Sequence, residues 1–481
     1  MRIRSHRKKV HVLRTILLLL FVLLAYTIIG GYMPFARMPA LSRSWQVSIE
    51  DEVARMSQDA DTADRVAILE TRSQALDERI RLINQAQEEL VIVSYDCRDG
   101  ESTRDIVCAA MARADAGVRV RMLVDGISGR LFLSGSELFH AFAAHENVEI
   151  RLYSPPTPFA PWKYMGRMHD KYVIADTKAF ILGGRNMFDH FIGDYPSASG
   201  TYSHDREALV YANEAYNSSI HHIRVYFDIL WKQEYIRPFD VRPLNDDRRS
   251  AIYAEMNARY EALKASKPDL FAPADYPAMT LPTRGVWLVS NPTNIDAKEP
   301  VVFETLCALM DTAREEITIH SPYCVLNDTM RARLAGIAGK VPVTLMVNAV
   351  ENGANMVASG DYLYHKDEVL STGMQVLEYA GGDSYHGKSI AIDDDISVIG
   401  SYNLDLRSTF VDTELMLVIR GKEVNALLRG HMESLHRDCR RVIDARTAEV
   451  PEGLEIPPLS AWKRVALRVV GALMQPVRNL V

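Results

Sequence analysis

Cysteine is scarce and unpatterned in this chain. Cys97, Cys108, Cys307, Cys324 and Cys439 show neither metal-site spacing nor a pairing pattern. The odd count argues against a disulfide-dependent fold, so buried thiols are expected. Acid is absent from both ends. Residues 1–33 carry six Lys and Arg and no Asp or Glu, and residues 459–481 carry four and none. Between them stand 45 basic residues against 62 acidic ones, a net of −17 where the whole chain sums to −7. Such a body repels nucleic acid unless a local basic cleft overcomes it. Charge of either sign is missing from Thr15 to Met33. At about 1.5 Å per residue that run nearly spans a hydrocarbon core of about 30 Å. Arg2, Arg4, Arg7, Lys8, Lys9 and Arg14 precede it, and a positive flank stays cytoplasmic, which places the chain beyond Met33 outside. A cleaved signal peptide has a shorter apolar region, and no small-x-small site stands in PFARMPAL, so an uncleaved anchor is expected.

What the chain does have is one motif written twice. Arg167 to Asn186 reads RMHDKYVIADTKAFILGGRN, and Tyr385 to Asn403 reads YHGKSIAIDDDISVIGSYN. The first copy supplies His169, Lys171, Asp176, Gly183, Gly184 and Asn186; the second supplies His386, Lys388, Asp393, Gly400, Ser401 and Asn403. Side chains two apart on a strand share a face, so each His and its Lys are expected to point the same way. The small pairs Gly183-Gly184 and Gly400-Ser401 let backbone approach what the His and Lys hold. A His is a nucleophile or base, and a Lys is a point charge for a phosphate oxygen. Two such sets suit displacement at phosphorus, one His attacking while the other protonates the leaving oxygen. Two core histidines in similar hairpins would explain one copy, but hardly two with identical internal spacing.

The pair resembles the two HKD motifs of the phospholipase D superfamily. GGRNMFDHF (Gly183 to Phe191) and SYNLDLRS (Ser401 to Ser408) look more narrowly like bacterial cardiolipin synthases, the C type most of all. The likeness runs from about Glu88 to the C-terminus. It implies a covalent phosphohistidine, no cofactor and no metal, with His169, Lys171, Asp176, His386, Lys388 and Asp393 as the catalytic set. It also implies that Asn186 and Asn403 contact the phosphate. Asp176 and Asp393 begin turns, which gives them a structural place within that set. Arg185 departs from the commoner residue at its position, where the second copy has Tyr402; with Arg167 it adds positive charge suited to an anionic lipid headgroup.

At 481 residues two domains are expected. Glu89 to Cys97 (ELVIVSYDC) aligns without a gap on Glu316 to Cys324 (EITIHSPYC), so the duplication extends beyond the motifs. The expected fold class is α/β. Two tandem phospholipase D-like domains, each a mixed β-sheet flanked by helices, are related by a pseudo-two-fold axis and come after an N-terminal transmembrane helix. The expected plan is a cytoplasmic basic tip and anchor over 1–33, then a linker and an amphipathic helix over 34–88. Domain 1 spans 89–240, a connector 241–285, domain 2 spans 286–450, and a basic amphipathic tail 451–481. The helix is read from Val66, Leu69, Leu76, Ile80 and Ile83, between Thr62 and Glu89. Cys97 and Cys324, equivalent in the repeat, are expected to line the pocket. The tail places Trp462, Val465, Val469, Ala472 and Leu473 on one helical face, with Lys463, Arg464 and Arg468 beside or opposite it. That pattern reads as a membrane-surface helix or as a helix docked on the domain.

Each motif has acid downstream, Asp205 and Glu207 after the first, Asp412 and Glu414 after the second. Glu207 and Glu414 are the supporting pair, each expected to hold the Nδ1 proton of its own neighbouring His; the resemblance also implies an acid here. Arg167 and Arg185 favour a neutral, attacking His169. Asp383, Asp394 and Asp395, close to His386 in sequence, favour its protonated form. The resemblance implies phosphatidyl transfer between phospholipids, with phosphatidylglycerol as acceptor and cardiolipin as product, at the outer face of a bacterial inner membrane. Hydrolysis by the same site, an anchored phosphodiesterase acting on nucleic acid, and a silent membrane scaffold are the alternatives. The −17 body weighs against a nucleic-acid partner, and the two intact motifs weigh against a scaffold. No feature of the sequence sets the oligomeric state.

Overall fold

Apolar strand runs alternate with helices twice along the chain, and the computed structural model turns them into two mixed sheets of nine strands each among the described residues. Residues 2–58, 64–157, 159–212, 218–353 and 355–481 are described. The first sheet holds β1 (Asp64–Leu69), β2 (Glu89–Ser94), β3 (Arg119–Asp125), β4 (Val148–Tyr153), β5 (Tyr172–Ala175), β6 (Ala179–Gly183), β7 (Glu207–Ala212), β8 (Ile236–Pro238) and β9 (Leu281–Pro282). The second holds β10 (Gly285–Ser290), β11 (Ile317–His320), β12 (Val343–Asn348), β13 (Gln375–Tyr379), β14 (Ser389–Ile392), β15 (Ile396–Gly400), β16 (Leu415–Arg420), β17 (Cys439–Val442) and β18 (Ala448–Glu449). Their orders are β9-β1-β7-β6-β5-β2-β3-β4-β8 and β10-β16-β15-β14-β11-β12-β13-β17-β18. From β1 and from β10 onward the two correspond strand for strand over eight positions. β2, β3 and β4 run parallel, as do β11, β12 and β13, while the other pairings are antiparallel.

Period-two alternation puts the two faces of each sheet into different cores. Val66, Ile68, Val91 and Val93 of the first sheet meet Ala391, Ile399, Leu415, Leu417 and Ile419 of the second in one shared core between the halves. The intervening residues face outward: Leu90 and Ile92 pack under helices of the first half, and Ile390, Ile392, Met416 and Val418 under those of the second. A shared apolar core of this kind holds the two halves together as one body.

Several helices depart from the expected plan. α1 (Arg2–Tyr32) contains the apolar run, and Leu13–Phe35 is long and apolar enough to cross a membrane. The side chains of Arg2, Arg4, Arg7, Lys8 and Lys9, whose charge sets the expected orientation, lie outside the described residues. The expected linker forms α2 (Arg43–Met56), whose Ile49, Val53 and Met56 enter the outer core of the second half; residues 59 and 60 lie outside the described residues. The amphipathic helix expected from Thr62 is shorter. Val66 and Leu69 belong to β1, paired with β7 over its whole length, and only α3 (Arg72–Gln85) is helical. Thr71 and Gln74 cap α3 reciprocally, which is why it starts there; Thr62 is outside the described residues. After α4 (Glu101–Asp115), the stretch expected as a connector forms α5 (Asp246–Ser266) and β9, both built into the first half. Ile252 and Met256 of α5 are buried there, and Arg259 pairs with Asp105 at 2.6 Å. The second half adds α6 (Val301–Met310), α7 (Met356–Tyr364) and α8 (Ala461–Leu473). All five cysteines are free and buried. Cys97 and Cys324 make equivalent bridges, to Met187 and Leu404, but at 0% and 2% exposure they do not line an open pocket.

Candidate active site

Each motif enters its strand from an extended lead-in, with His169 and Lys171 just before β5 and His386 and Lys388 just before β14. Around the histidine itself, each lead-in pairs with the other half. Met168 bridges Thr413, the His169 N–H donates to the Thr413 carbonyl (3.3 Å), and the Thr413 N–H to that of Arg167 (2.9 Å). Symmetrically, Ser384 and Tyr385 pair with Ser203 and His204, and the His386 N–H donates to the His204 carbonyl (2.6 Å). The backbone therefore stitches each histidine to the acid-bearing segment of the other half.

Side chains follow the backbone. His169 Nδ1 lies 2.8 Å from Glu414 Oε1, and His386 Nδ1 lies 2.6 Å from Asp205 Oδ2. Both acids are buried. The supporting acid is thus exchanged between halves, and in the first copy it is Asp205, not Glu207. Strand register gives the reason. Gly183 stands opposite Glu207, and Gly400 opposite Met416, so Glu207 corresponds to Met416 and Asp205 to Glu414. Glu207 points into the first half and closes a bidentate pair with Arg79 of α3, at 2.5 and 2.6 Å. Aligning Ala208–Tyr211 with Leu417–Arg420, instead of the two Glu residues, finds the right acid.

The small residues have a different task from the one expected. A Cβ on Gly184 would stand 2.3 Å from Asp205 Oδ1, so glycine leaves room for that carboxylate. Its counterpart Ser401 instead donates its hydroxyl to Glu414 Oε2 at 2.5 Å, and Ser408 donates to Oε1 at 2.6 Å. Asp176 and Asp393 lie at the far end of β5 and β14, seven residues and roughly 23 Å along the extended chain from the histidines. Each sits at positive φ, 53° and 47°. Asp176 accepts the N–H groups of Gln87, Glu88 and Glu89 at 2.8 Å, and Asp393 those of Arg314, Glu315 and Glu316 at 2.8–3.2 Å. Both fix the starts of β2 and β11 and touch no histidine.

Arg167 and Arg185 are also placed otherwise than expected. Arg167 is 1% exposed and forms two hydrogen bonds with Asp125, at 2.9 and 3.0 Å. Arg185, equally buried, donates to the carbonyls of Phe191, Glu70 and Asp205. Neither guanidinium is open to a headgroup. Asp394 pairs with Lys422 and Asp395 with Arg420, which removes both from the surroundings of His386.

The groups that do surround the histidines are the lysines and two aromatic rings. Lys171 and Lys388 each donate to the carbonyl of their own His, and Lys388 Nζ lies 2.8 and 3.1 Å from the ring nitrogens of His386. Tyr95 packs edge-on against His169 and Phe191 against His386, each at 5.0 Å between centroids; both lie in stretches singled out in the sequence, but their contact with the histidines is set by the fold. Asn186 accepts the Asp96 N–H through Oδ1 at 3.2 Å. Asn403 Oδ1 is buried with no partner among the described residues.

Charge is unevenly held. Burial, reinforced by Lys171 and Lys388, pushes His169 well below the usual imidazole range. Burial and Lys388 bring His386 down to about 3 against the pull of Asp205. Burial pushes Glu414 up to about 8, against Lys171 and the two serine hydroxyls. For Asp205 burial acts in the same sense, but Lys388 and His386 outweigh it and hold the carboxyl at about 2. At neutral pH the His169–Glu414 pair is therefore held without net charge, whereas His386 faces an ionised carboxylate. Burial lowers Lys171 to about 8 and Lys388 to about 7, and an anion bound beside them would favour the protonated form of both.

The chain has relatives in sequence and in fold. The family model described as cardiolipin synthase, PLD-like domain matches residues 80–231 and 306–436. An uncharacterized protein of Helicobacter pylori is 23% identical over 409 residues, covering 76% of this chain and 79% of its own. Cardiolipin synthase C of Escherichia coli K12 is 23% identical over 455 residues, covering 84% of this chain and 94% of its own. In fold, the chain is similar to phosphatidylserine synthase of Haemophilus influenzae, with a TM-score of 0.62 at 13% identity over 89% of this chain and all of that one.

Proposed function

Because the chain belongs to the cardiolipin synthase, PLD-like domain family of the phospholipase D superfamily, we propose that it is a membrane-anchored phosphatidyltransferase that makes cardiolipin through a phosphatidyl-histidine. The observation that carries this reading is the exchange of Asp205 and Glu414 between halves, which brings both His-Lys pairs to one seam. Lys171 and Lys388 clamp the phosphate oxygens of a phospholipid. The amides of Asn186 and Asn403 turn N–H groups toward the same oxygens.

His169 is the attacking group. Its Nδ1–H donates to Glu414, which leaves the Nε2 lone pair for phosphorus. As the N–P bond forms, the P–O bond to the leaving alcohol breaks, and His386 passes its Nε2 proton to that oxygen. Asp205 supports the imidazolium of His386 once the bound phosphate offsets the Lys388 charge. The asymmetry of the two acids thus replaces Arg167, Arg185 and the sequence-near aspartates as the reason for this assignment. A hydroxyl of a second lipid, such as phosphatidylglycerol, then attacks phosphorus. His386 takes that proton, the N–P bond breaks, and His169 is restored.

Incubating the enzyme with phosphate-labelled phosphatidylglycerol is expected to yield labelled cardiolipin at an undiminished rate in EDTA, because lysines supply the clamp. Rapid denaturation at neutral to alkaline pH is expected to trap label on His169 as an acid-labile adduct. Phosphatidic acid as sole product would make the enzyme a hydrolase, label on His386 would reverse the two roles, and EDTA inhibition restored by a metal would refute the lysine clamp.

The same proposal places α1 across the bacterial inner membrane with both halves on the outer side. A periplasm-dependent reporter joined after Met33 is expected to be active; activity of a cytoplasm-dependent reporter there would invert the orientation.

A further inference from the structure

α8 has two faces, and only one of them is used by the fold. Leu467 and Gly471 are buried against α7. The crossing is glycine on glycine: a Cβ on Gly471 would come 2.4 Å from the Gly360 carbonyl oxygen, and one on Gly360 2.8 Å from that of Leu467. Backbones approach this closely only where side chains are missing, so α8 is fixed rigidly to the second half. Arg478, just beyond it, adds a bond to Asp361 of α7 at 2.7 Å. Turned away from this contact, Trp462, Val465, Val469 and Leu473 are 68%, 62%, 48% and 70% exposed. Their spacing of three and four residues makes one continuous apolar stripe.

The surroundings of the stripe indicate what covers it. Tyr32, at the end of α1, donates its hydroxyl to the Pro476 carbonyl at 3.2 Å, and Asn479 donates to the Phe35 carbonyl at 3.5 Å. The segment after α8 therefore grips the point where the apolar helix reaches the body of the protein. On another side of α1, Tyr26 donates to the Phe159 carbonyl at 3.2 Å, and Gly30 packs against Pro161. That loop exposes Phe159 (82%) and Trp162 (44%) beside the same helix end. Arg464 and Arg468 flank the stripe, exposed and without an ion pair among the described residues. They line a groove of about 890 Å³ with Arg446, while Lys366 and Arg440 in its wall are already paired with Glu378 and Glu351.

We infer that α8 is a second membrane contact, lying in the plane of an anionic lipid surface beside the exit of α1, with its apolar stripe among the acyl chains. Arg464 and Arg468 meet the phosphate headgroups, and Phe159 and Trp162 enter the same surface from the other side of α1. An amphipathic helix with interfacial Trp and flanking Arg takes this position. The consequence is orientation. A single spanning helix leaves the two halves free to tilt and rotate above the lipid, whereas a second contact fixed through Gly360 and Gly471 holds the seam at one attitude to the leaflet that supplies its substrate. The inference rests on the proposed membrane anchoring of α1.

Selective labelling is open to test it, because the native thiols are buried. The full-length protein is reconstituted into phosphatidylglycerol-containing vesicles whose acyl chains carry a quencher, with a fluorophore on one new thiol at a time. Val465→Cys is expected to lose most of its emission, as is Leu20→Cys in α1, while Glu455→Cys on the exposed segment before α8 keeps it. Adding R464Q and R468Q is expected to weaken quenching at 465, and so is replacing phosphatidylglycerol by phosphatidylcholine. Quenching at 20 but not at 465 would overturn the second contact and leave the anchor standing; no quenching at either would overturn both. Energy transfer between copies labelled at 465, in place of lipid quenching, would assign the stripe to a second copy of the chain and overturn the inference.

Discussion

His169→Ala and His386→Ala are each expected to lower turnover by about 10⁴- to 10⁶-fold, with the double variant no slower than either single one. In the proposed mechanism the two act as a unit. Without His169 no N–P bond forms; without His386 the leaving oxygen has no proton donor and the acceptor no base. Removing the second from an enzyme that lacks the first therefore takes nothing further away. Each ring rests on an aromatic neighbour and a carboxylate, so the variants also lose packing, and melting temperature must be followed beside activity. Near-wild-type turnover in either single variant, or losses that multiply in the double, would mean two separate sites instead of one shared one.

The next largest effects are expected at the exchanged acids. Asp205→Asn and Glu414→Gln each keep the shape of the side chain but lose the carboxyl group that fixes the histidine tautomer, which costs a comparable hydrolytic triad about 10⁴-fold. Glu207→Gln provides the contrast. Its carboxylate faces Arg79 in a fully buried pair, so neutralising it strands a charge and is expected to cost about 3–5 kcal/mol of stability. The surviving folded protein should turn over at its usual rate. Melting curves and turnover per folded molecule therefore separate the two roles. If Glu207→Gln abolished turnover while Asp205→Asn left it intact, the supporting acid of the first copy would be Glu207, and the assignment to Asp205 would be wrong.

The duplicated motif, the α/β class, the long apolar helix and the repeat relation of Glu89 to Glu316 are all carried by local pattern: side-chain period, turn chemistry and repeated spacing. Each depends on residues close along the chain, so a linear reading reaches it. The turn-forming character of Asp176 and Asp393 is of the same kind, since it comes from the residues on either side of them. Which acid serves which histidine is of another kind. Asp205 and Glu207 both precede the same apolar strand, and only the pairing of β6 with β7 turns the first toward the seam and the second toward Arg79; a shift of two residues leaves the face unchanged but moves the carboxylate along it. The fate of Arg167 and Arg185 likewise depended on partners distant in sequence, Asp125 and Glu70, which no spacing announces. Linear pattern determined the chemistry of this protein and its two-fold plan, because both reside in residue type and period. The tertiary structure alone decided which charges meet, because the electrostatics of a buried group are set by whatever the fold brings within a few ångströms of it.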